Sequence, residues 1–154
     1  MQSFLIFFPR VFYYIELRCT GKDLVFTTQD AIKHHGILDG DQLIIRSDNG
    51  SQMTSNAFID NIEAFGEDRV LHELIPPATP NKNAHIEAFN SILEIEFLQP
   101  RYFKTYGQAY QETVEFMEFY NNRRIHGSLK SRTPMEVYDQ YKKGLELNIC
   151  PVKV

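Results

Sequence analysis

The sequence has no tryptophan and only two cysteines, Cys19 and Cys150, among its 154 residues. Two cysteines without CxxC spacing exclude a disulfide scaffold of this size. Long hydrophobic runs are lacking near the start, where residues 4–8 are five apolar residues closed by Pro9. Such a run is too short for a membrane span or a signal segment. These absences predict a cytoplasmic protein with no membrane partner.

The sequence also has no excess of basic residues, since it contains 16 Lys and Arg and 20 Asp and Glu. Taken over the whole chain, this balance argues against a nucleic-acid binder, since phosphate contacts usually come from a basic surface. The charges are unevenly distributed, however. Residues 39–73 carry eight acids and two arginines, whereas residues 119–132 carry four basic residues and no acid. Electrostatic inferences must therefore be made region by region.

What the sequence does contain is an ordinary globular composition, 43% hydrophobic with 12 Phe and 8 Tyr, enough for one substantial core. The apolar patterns predict strands at residues 4–8, 11–17, 43–45 and 70–74, and helices at 22–35, 55–63, from 80, 106–121 and from 134. This order predicts an α/β domain with a central sheet. The consecutive apolar residues 43–45 predict a strand buried on both faces.

Two helix starts carry capping signals. Thr79 and Pro80 fit the N-cap and first position of the third helix, and Thr133, Pro134 and Glu136 fit an N-cap, a helix-starting proline and a capping-box glutamate. The third helix has an apolar stripe at helical spacing, formed by Ile86, Phe89, Leu93 and Phe97.

Two carboxylates are candidates for chemistry. Asp48 follows a predicted strand and precedes Asn49 and Gly50, at the strand end where open α/β sheets bind ligands. A simple turn is the alternative explanation. Glu87 lies on a polar helix ridge with Asn83, Asn90 and Glu94, which is otherwise explained as a solvated face. Carboxylates on rigid elements are what a hard cation such as Mg²⁺ requires.

The basic residues after Tyr120 allow two interpretations, a phosphate-contacting patch or a solvated loop. They are Arg123, Arg124, His126, Lys130 and Arg132. The five histidines show no spacing typical of a zinc site.

Four segments in this order resemble the integrase core of bacterial insertion-sequence transposases, which are DDE-type relatives of retroviral integrase. The segments are residues 44–52 (IIRSDNGSQ), 79–89 (TPNKNAHIEAF), 119–129 (FYNNRRIHGSL) and 133–136 (TPME). The resemblance covers roughly residues 11–140. It implies a ribonuclease-H-like layered fold with a central mixed sheet flanked by helices.

The resemblance also implies chemistry, because the family uses two aspartates and a glutamate to hold two divalent ions while it cuts and joins DNA strands. Asp48 matches the second aspartate and Glu87 the glutamate, as catalytic residues and ligands of Mg²⁺ or Mn²⁺. Asn49 and Asn83 match polar residues that flank these acids. The implied DNA contacts are Arg123, Arg124, His126 and Lys130, and the implied partners are transposon ends and either a second copy or a full-length transposase.

The first aspartate of the family has no match here, since Glu16 and Asp23 fall at a strand end and a helix start. We therefore expect residues 1–140 to form a partial, N-terminally truncated catalytic core that lacks the first strand, followed by a tail at 141–154. Activity and Mg²⁺ affinity should be impaired. A catalytically silent module that dimerises or binds DNA, and an unrelated metal-binding α/β enzyme, stay open as alternatives.

Overall fold

A computed structural model of the chain describes residues 2–7, 10–15, 20–35, 42–47, 49–76 and 84–149. The elements are β1 (Gln2–Phe7), β2 (Arg10–Ile15), α1 (Gly21–His35), β3 (Leu43–Ser47), α2 (Asn56–Glu63), β4 (Val70–Leu74), α3 (Ala84–Ile92), α4 (Tyr106–Asn122) and α5 (Pro134–Lys142). A π-helical segment, Leu93–Leu98, continues α3, and a 3-10 turn, Gly127–Leu129, follows α4. This order confirms the predicted α/β class. None of the described helices has the length and apolar character needed to cross a bilayer.

The strands form two pairs. β1 neighbours β2, and β3 runs parallel to β4 with Leu43 opposite Val70 and Ser47 opposite Leu74. A parallel pair requires a crossover connection, which α2 supplies. Within the described ranges, the strands therefore form two separate two-stranded sheets, where the sequence predicted one central sheet.

The prediction that β3 is buried on both faces is wrong. Ile45 and Ser47 are buried, whereas Ile44 is 45% exposed, as is Leu71 opposite it at 39%. Alternation along a strand is the pattern that one covered face produces. Phe58 of α2 covers the face of Ile45, so consecutive apolar residues did not mean two buried faces here.

Two compact units make up the chain: residues 1–5 and 12–84 form one, and residues 6–11 and 85–154 form the other. In the first, α2 packs against α1 and β4. Its buried apolar side chains are Leu24, Ala31, Ile32, Ile45, Phe58, Ile62, Val70 and Ile75. In the second, α4 packs against α5. Its buried apolar side chains are Phe89, Leu93, Phe97, Phe116, Met117, Tyr120, Leu129, Val137 and Tyr138.

The capping signals of α5 are confirmed. The Thr133 hydroxyl accepts a hydrogen bond from the Glu136 amide at 3.2 Å, and the Glu136 carboxylate accepts one from the Thr133 amide at 2.7 Å. The predicted cap of α3 at Thr79 and Pro80 lies outside the described residues, and α3 as described begins at Ala84. Three of the four stripe residues, Phe89, Leu93 and Phe97, are buried as expected.

Candidate active site

The carboxyl end of β3 is tied to β4 by a side-chain hydrogen bond. The Ser47 hydroxyl lies 2.8 Å from Nε2 of His72. Phe58 of α2 packs edge-on against the His72 ring, with the two ring centroids 5.2 Å apart. Ser47, the residue directly before Asp48, is therefore held by His72 of β4, and α2 packs on that histidine.

Burial lowers the pKa of His72 below the ordinary histidine value of 6.5. The ring is thus neutral near pH 7 and keeps one donor and one acceptor nitrogen, either of which can pair with a hydroxyl. Sequence reasoning missed this pair. The parallel register places His72 opposite Ile45, and residues 45 and 47 lie on the same face of β3, so His72 lies on the face of Ser47. This register is the signal that could have indicated the pair.

Two of the predicted site residues, Asp48 and Asn83, lie outside the described residues, and their roles stay predictions. Asn49 is exposed in a bend after β3. The Gly50 carbonyl accepts hydrogen bonds from the amides of Met53 and Thr54, at 2.9 and 3.1 Å. The stretch after β3 therefore enters a hydrogen-bonded turn that leads into α2.

Glu87 lies in the first turn of α3 and is exposed. A carboxylate at this end of a helix is favoured by the helix dipole and by the free amides of the first turn. Among the described residues, the Glu87 side chain has no hydrogen-bond or ion-pair partner. Its carboxylate is thus available to a ligand. Asn90 and Glu94 are exposed as well, in line with the predicted polar ridge.

Asp23, one of the acids considered for the missing first aspartate, has a structural task. Its carboxylate accepts hydrogen bonds from the Thr20 amide at 2.6 Å and from the Thr20 hydroxyl at 2.7 Å, at the start of α1. These hydrogen bonds lower the pKa of Asp23. The contacts support the expectation that Asp23 is no substitute, and Glu16 lies outside the described residues.

Over the ranges that the structure describes, no group of three His, Cys, Asp or Glu side chains could hold a metal ion. Asp48 is not part of that set. Glu87 nevertheless offers an exposed carboxylate with no partner among the described residues, which is the type of ligand that a hard divalent cation takes. Exposed carboxylates of this kind also accept Mn²⁺.

Arg124 and His126, two of the predicted DNA contacts, are engaged within the fold. The Arg124 guanidinium donates to both oxygens of Glu96, at 2.9 and 2.5 Å. A third nitrogen, Nη1, lies 3.0 Å from Nδ1 of His126. A guanidinium can only donate, so this His126 nitrogen accepts and the imidazole is neutral.

Burial, together with the positive charge of Arg124, lowers the pKa of His126 to about 4, and the Glu96 carboxylate opposes this only in part. Tyr120 packs edge-on against the same ring, with centroids 4.9 Å apart. His126 therefore contributes no positive charge near pH 7. The guanidinium of Arg124 in turn lowers the pKa of Glu96.

The other two predicted DNA contacts are exposed. The Arg123 side chain has no partner among the described residues. Lys130 donates to the side chain of Asn148, and it adopts a left-handed backbone conformation with φ 53°. Arg132 donates to the Leu129 carbonyl at 2.9 Å. Of the basic side chains in this segment, Arg123 is thus the one that is exposed and has no partner among the described residues.

Comparison with known proteins gives a consistent result. Residues 68–134 match the integrase core domain family, a range that contains Glu87, Arg123 and Arg124 and ends at the first residue of α5. An uncharacterised 39.2 kDa protein of insertion element IS476 from Xanthomonas euvesicatoria is 33% identical over 107 residues, which are 70% of this chain and 30% of that protein. Residues 68–134 therefore carry sequence of the integrase core domain family, and the chain is similar to proteins of bacterial insertion elements.

A second relative is the transposase for insertion sequence element IS904 from Lactococcus lactis subsp. lactis (strain IL1403). It is 29% identical over 100 residues, which are 64% of this chain and 38% of that protein. The chain therefore spans about a third of the length of these two curated relatives.

Solved structures show the same fold. The catalytic core domain of BIV integrase superposes with a TM-score of 0.63 at 15% identity, covering 88% of this chain and 81% of that one. The HTLV-2 integrase catalytic core, solved in complex with magnesium in a trimeric form, gives a TM-score of 0.61 at 15% identity and covers 86% and 78%. The ribonuclease-H-like fold predicted for this integrase core is thereby confirmed.

Proposed function

We propose that this integrase core acts on transposon DNA ends, and that Asp48 and Glu87 hold the divalent ion, Mg²⁺ or Mn²⁺, that the reaction needs. The observation that carries the proposal is the exposed carboxylate of Glu87, which has no partner among the described residues and lies inside the matched integrase-core range. The IS904 relative is named as a transposase, and one structural neighbour was solved with magnesium, which supports the substrate and the ion.

A bound divalent ion would stabilise charge on the attacking and leaving oxygens of a phosphodiester. The residues of the chain would hold the ion and orient the DNA. Glu87, on a helix, offers a carboxylate from a rigid element. Asn49 and Asn83, one residue after Asp48 and four before Glu87, are suited to orient those carboxylates or the DNA by hydrogen bonds.

For the DNA backbone, we propose contacts from the basic segment after α4. Arg123 and Lys130 are exposed and cationic, which suits phosphate. Arg124 already neutralises Glu96, and His126 is neutral, so a phosphate contact from either would first have to break internal contacts. We therefore rank Arg123 and Lys130 ahead of Arg124 and His126.

The activity of the 154-residue chain should be low. Asp48 and Glu87 match two of the three family carboxylates, and fewer anionic ligands weaken ion binding and charge neutralisation. We further propose that residues 1–140 are the catalytic portion and 141–154 a tail.

Cleavage of end-labelled transposon DNA, titrated with Mg²⁺ and Mn²⁺, tests the proposal. We expect weak cleavage that requires the metal and saturates with it. Cleavage unaffected by chelator, or no cleavage at any metal concentration, would refute the enzymatic function.

The second candidate function is a silent module that associates with another copy or with a full-length transposase. Partial exposure of Ile44 and Leu71 on one face of the β3–β4 pair favours it, since apolar sheet faces are normally covered. Light scattering coupled to size exclusion separates the candidates: an inert dimer supports the module, and an active monomer refutes it.

A further inference from the structure

A bidentate ion pair joins the helix of Glu87 to the segment after α4. Nε of Arg124 donates to one oxygen of Glu96 at 2.9 Å and Nη2 to the other at 2.5 Å. Two such bonds use the planar fork that a guanidinium provides and an ammonium does not. Only 21% of the Arg124 side chain is exposed, so the guanidinium is largely withdrawn from solvent.

The two partners lie on elements that bear on the proposed site. Glu96 belongs to the π-helical segment Leu93–Leu98, which continues α3 without a break from Glu87. Arg124 follows the last residues of α4, and its amide donates to the Phe119 carbonyl at 2.8 Å. Because a helix is rigid along its length, fixing Glu96 restricts the orientation of the helix that presents Glu87.

A second contact holds the same elements together closer to Glu87. Phe89, two residues further along α3, packs edge-on against Tyr120 of α4, with centroids 5.1 Å apart. The Arg124 guanidinium lies 6.0 Å from the centre of the Tyr120 ring. The helix is thus attached to the end of α4 at two points, Phe89 and Glu96.

We propose that the Glu96–Arg124 pair positions Glu87, and that Arg124 acts through Glu96 instead of contacting phosphate. The proposal rests on the proposed role of Glu87 as a metal ligand. Arg123 provides the contrast, since it is adjacent, equally charged, exposed and without a side-chain partner among the described residues.

Five variants test the proposal: Glu96→Gln, Arg124→Lys, Arg124→Glu, the exchange variant Glu96→Arg with Arg124→Glu, and the control Arg123→Gln. The measurements are kcat for metal-dependent cleavage and Kd for labelled DNA ends. We expect Glu96→Gln and Arg124→Lys to lower kcat by about tenfold with Kd within about twofold, as for residues that orient a metal ligand. Arg124→Glu should lower kcat further. Arg123→Gln, at a proposed phosphate contact, should raise Kd, and this rise in Kd distinguishes it from Glu96→Gln and Arg124→Lys.

The exchange variant gives the sharpest result, because it restores the pair while it removes the positive charge at position 124. Recovery of kcat relative to Arg124→Glu alone supports positioning. A tenfold or greater loss of DNA affinity that the exchange does not recover would show that Arg124 contacts phosphate and would overturn the proposal.

Amide hydrogen exchange of residues 84–98 supplies a readout that needs no catalysis. Faster exchange there in Glu96→Gln and Arg124→Lys, but not in Arg123→Gln, supports the pair as an anchor of the helix. Unchanged exchange in both variants overturns it. If the wild type cleaves no DNA, the proposed function fails, while this measurement still decides whether the pair holds the helix.

Discussion

At the level of single residues, the basic segment after α4 divides into side chains that face solvent and side chains that are tied into the fold. Arg123 and Lys130 are exposed, and Lys130 also donates to the side chain of Asn148. Arg124 pairs with Glu96, and His126 packs on Tyr120. Charge alone could not separate the two groups, because all four side chains come from one run of sequence. Burial and side-chain partners are what distinguish the exposed residues from the residues that are held in the fold.

The titration of His126 is a first prediction. Its pKa of about 4 in the folded protein lies below the ordinary 6.5, so the unfolded chain binds the proton more readily. Stability from this group is therefore complete above pH 6.5 and is lost as the pH falls from 6.5 through 4. With a discount for the half-exposed ring, the loss should be about 1–2 kcal/mol.

Proton NMR of the His126 ring measures this pKa directly, which separates it from His72, whose pKa burial also lowers. The variant Arg124→Gln should raise the pKa of His126, because one of the two causes of its depression is removed. A pKa of 6.5 or above in the wild type would contradict the packing described for the ring.

Phosphate contact by Arg123 is the second prediction at this scale. Arg123→Gln should reduce the slope of log affinity against log salt by about 1 and weaken binding to all DNA sequences alike. Filter binding or anisotropy at several salt concentrations measures the slope, with Lys142→Gln on α5 as a control for charge. Equal slopes for Arg123→Gln and wild type would remove Arg123 from the DNA contacts.

At the level of elements, helix starts are fixed by local hydrogen bonds of unequal strength. α5 has a complete capping box on the buried Thr133, followed by the buried Pro134. At the start of α4, the exposed Thr105 accepts from the Gln108 amide at 3.1 Å, and the Gln108 side chain accepts from the Lys104 amide at 3.0 Å. The two helices thus provide a matched comparison between a buried capping box and an exposed cap.

We predict that Thr133→Ala lowers the free energy of unfolding by about 1–2 kcal/mol and Thr105→Ala by about 0.5–1 kcal/mol. Loss of the Thr133 hydroxyl leaves the Glu136 amide without its partner. Urea unfolding of both variants measures the difference. An equal or larger effect for Thr105→Ala would contradict the stronger cap at α5.

Elements and caps of this chain could be predicted from sequence where their causes are local. The box joins Thr133 and Glu136, three positions apart, and the stripe of α3 repeats at helical spacing. The bonds between Ser47 and His72 and between Glu96 and Arg124 join residues 25 and 28 positions apart, so no local pattern indicates them. The exposure of Ile44 likewise depends on which face α2 covers.

At the level of the whole molecule, the mild acidic excess argued against a DNA-binding protein. The acidic and basic residues are, however, concentrated in different regions of the chain. Acids concentrate in residues 39–73, around Asp48, and basic residues concentrate after Tyr120. The family match and the ribonuclease-H-like fold agree with an enzyme that needs acids for metal and bases for phosphate. Of the proposed metal ligands, the structure describes Glu87 as an exposed carboxylate, and sequence alone assigns Asp48.

The most direct measurement compares metal-dependent cleavage of labelled transposon ends by wild type, Asp48→Asn and Glu87→Gln. Glu63→Gln, an exposed carboxylate at the end of α2, is the matched control. If Asp48 and Glu87 hold the ion, both variants should lose cleavage by at least about 100-fold, while the control cleaves like wild type. Cleavage by either variant at the wild-type rate would contradict the assignment of that residue as a metal ligand.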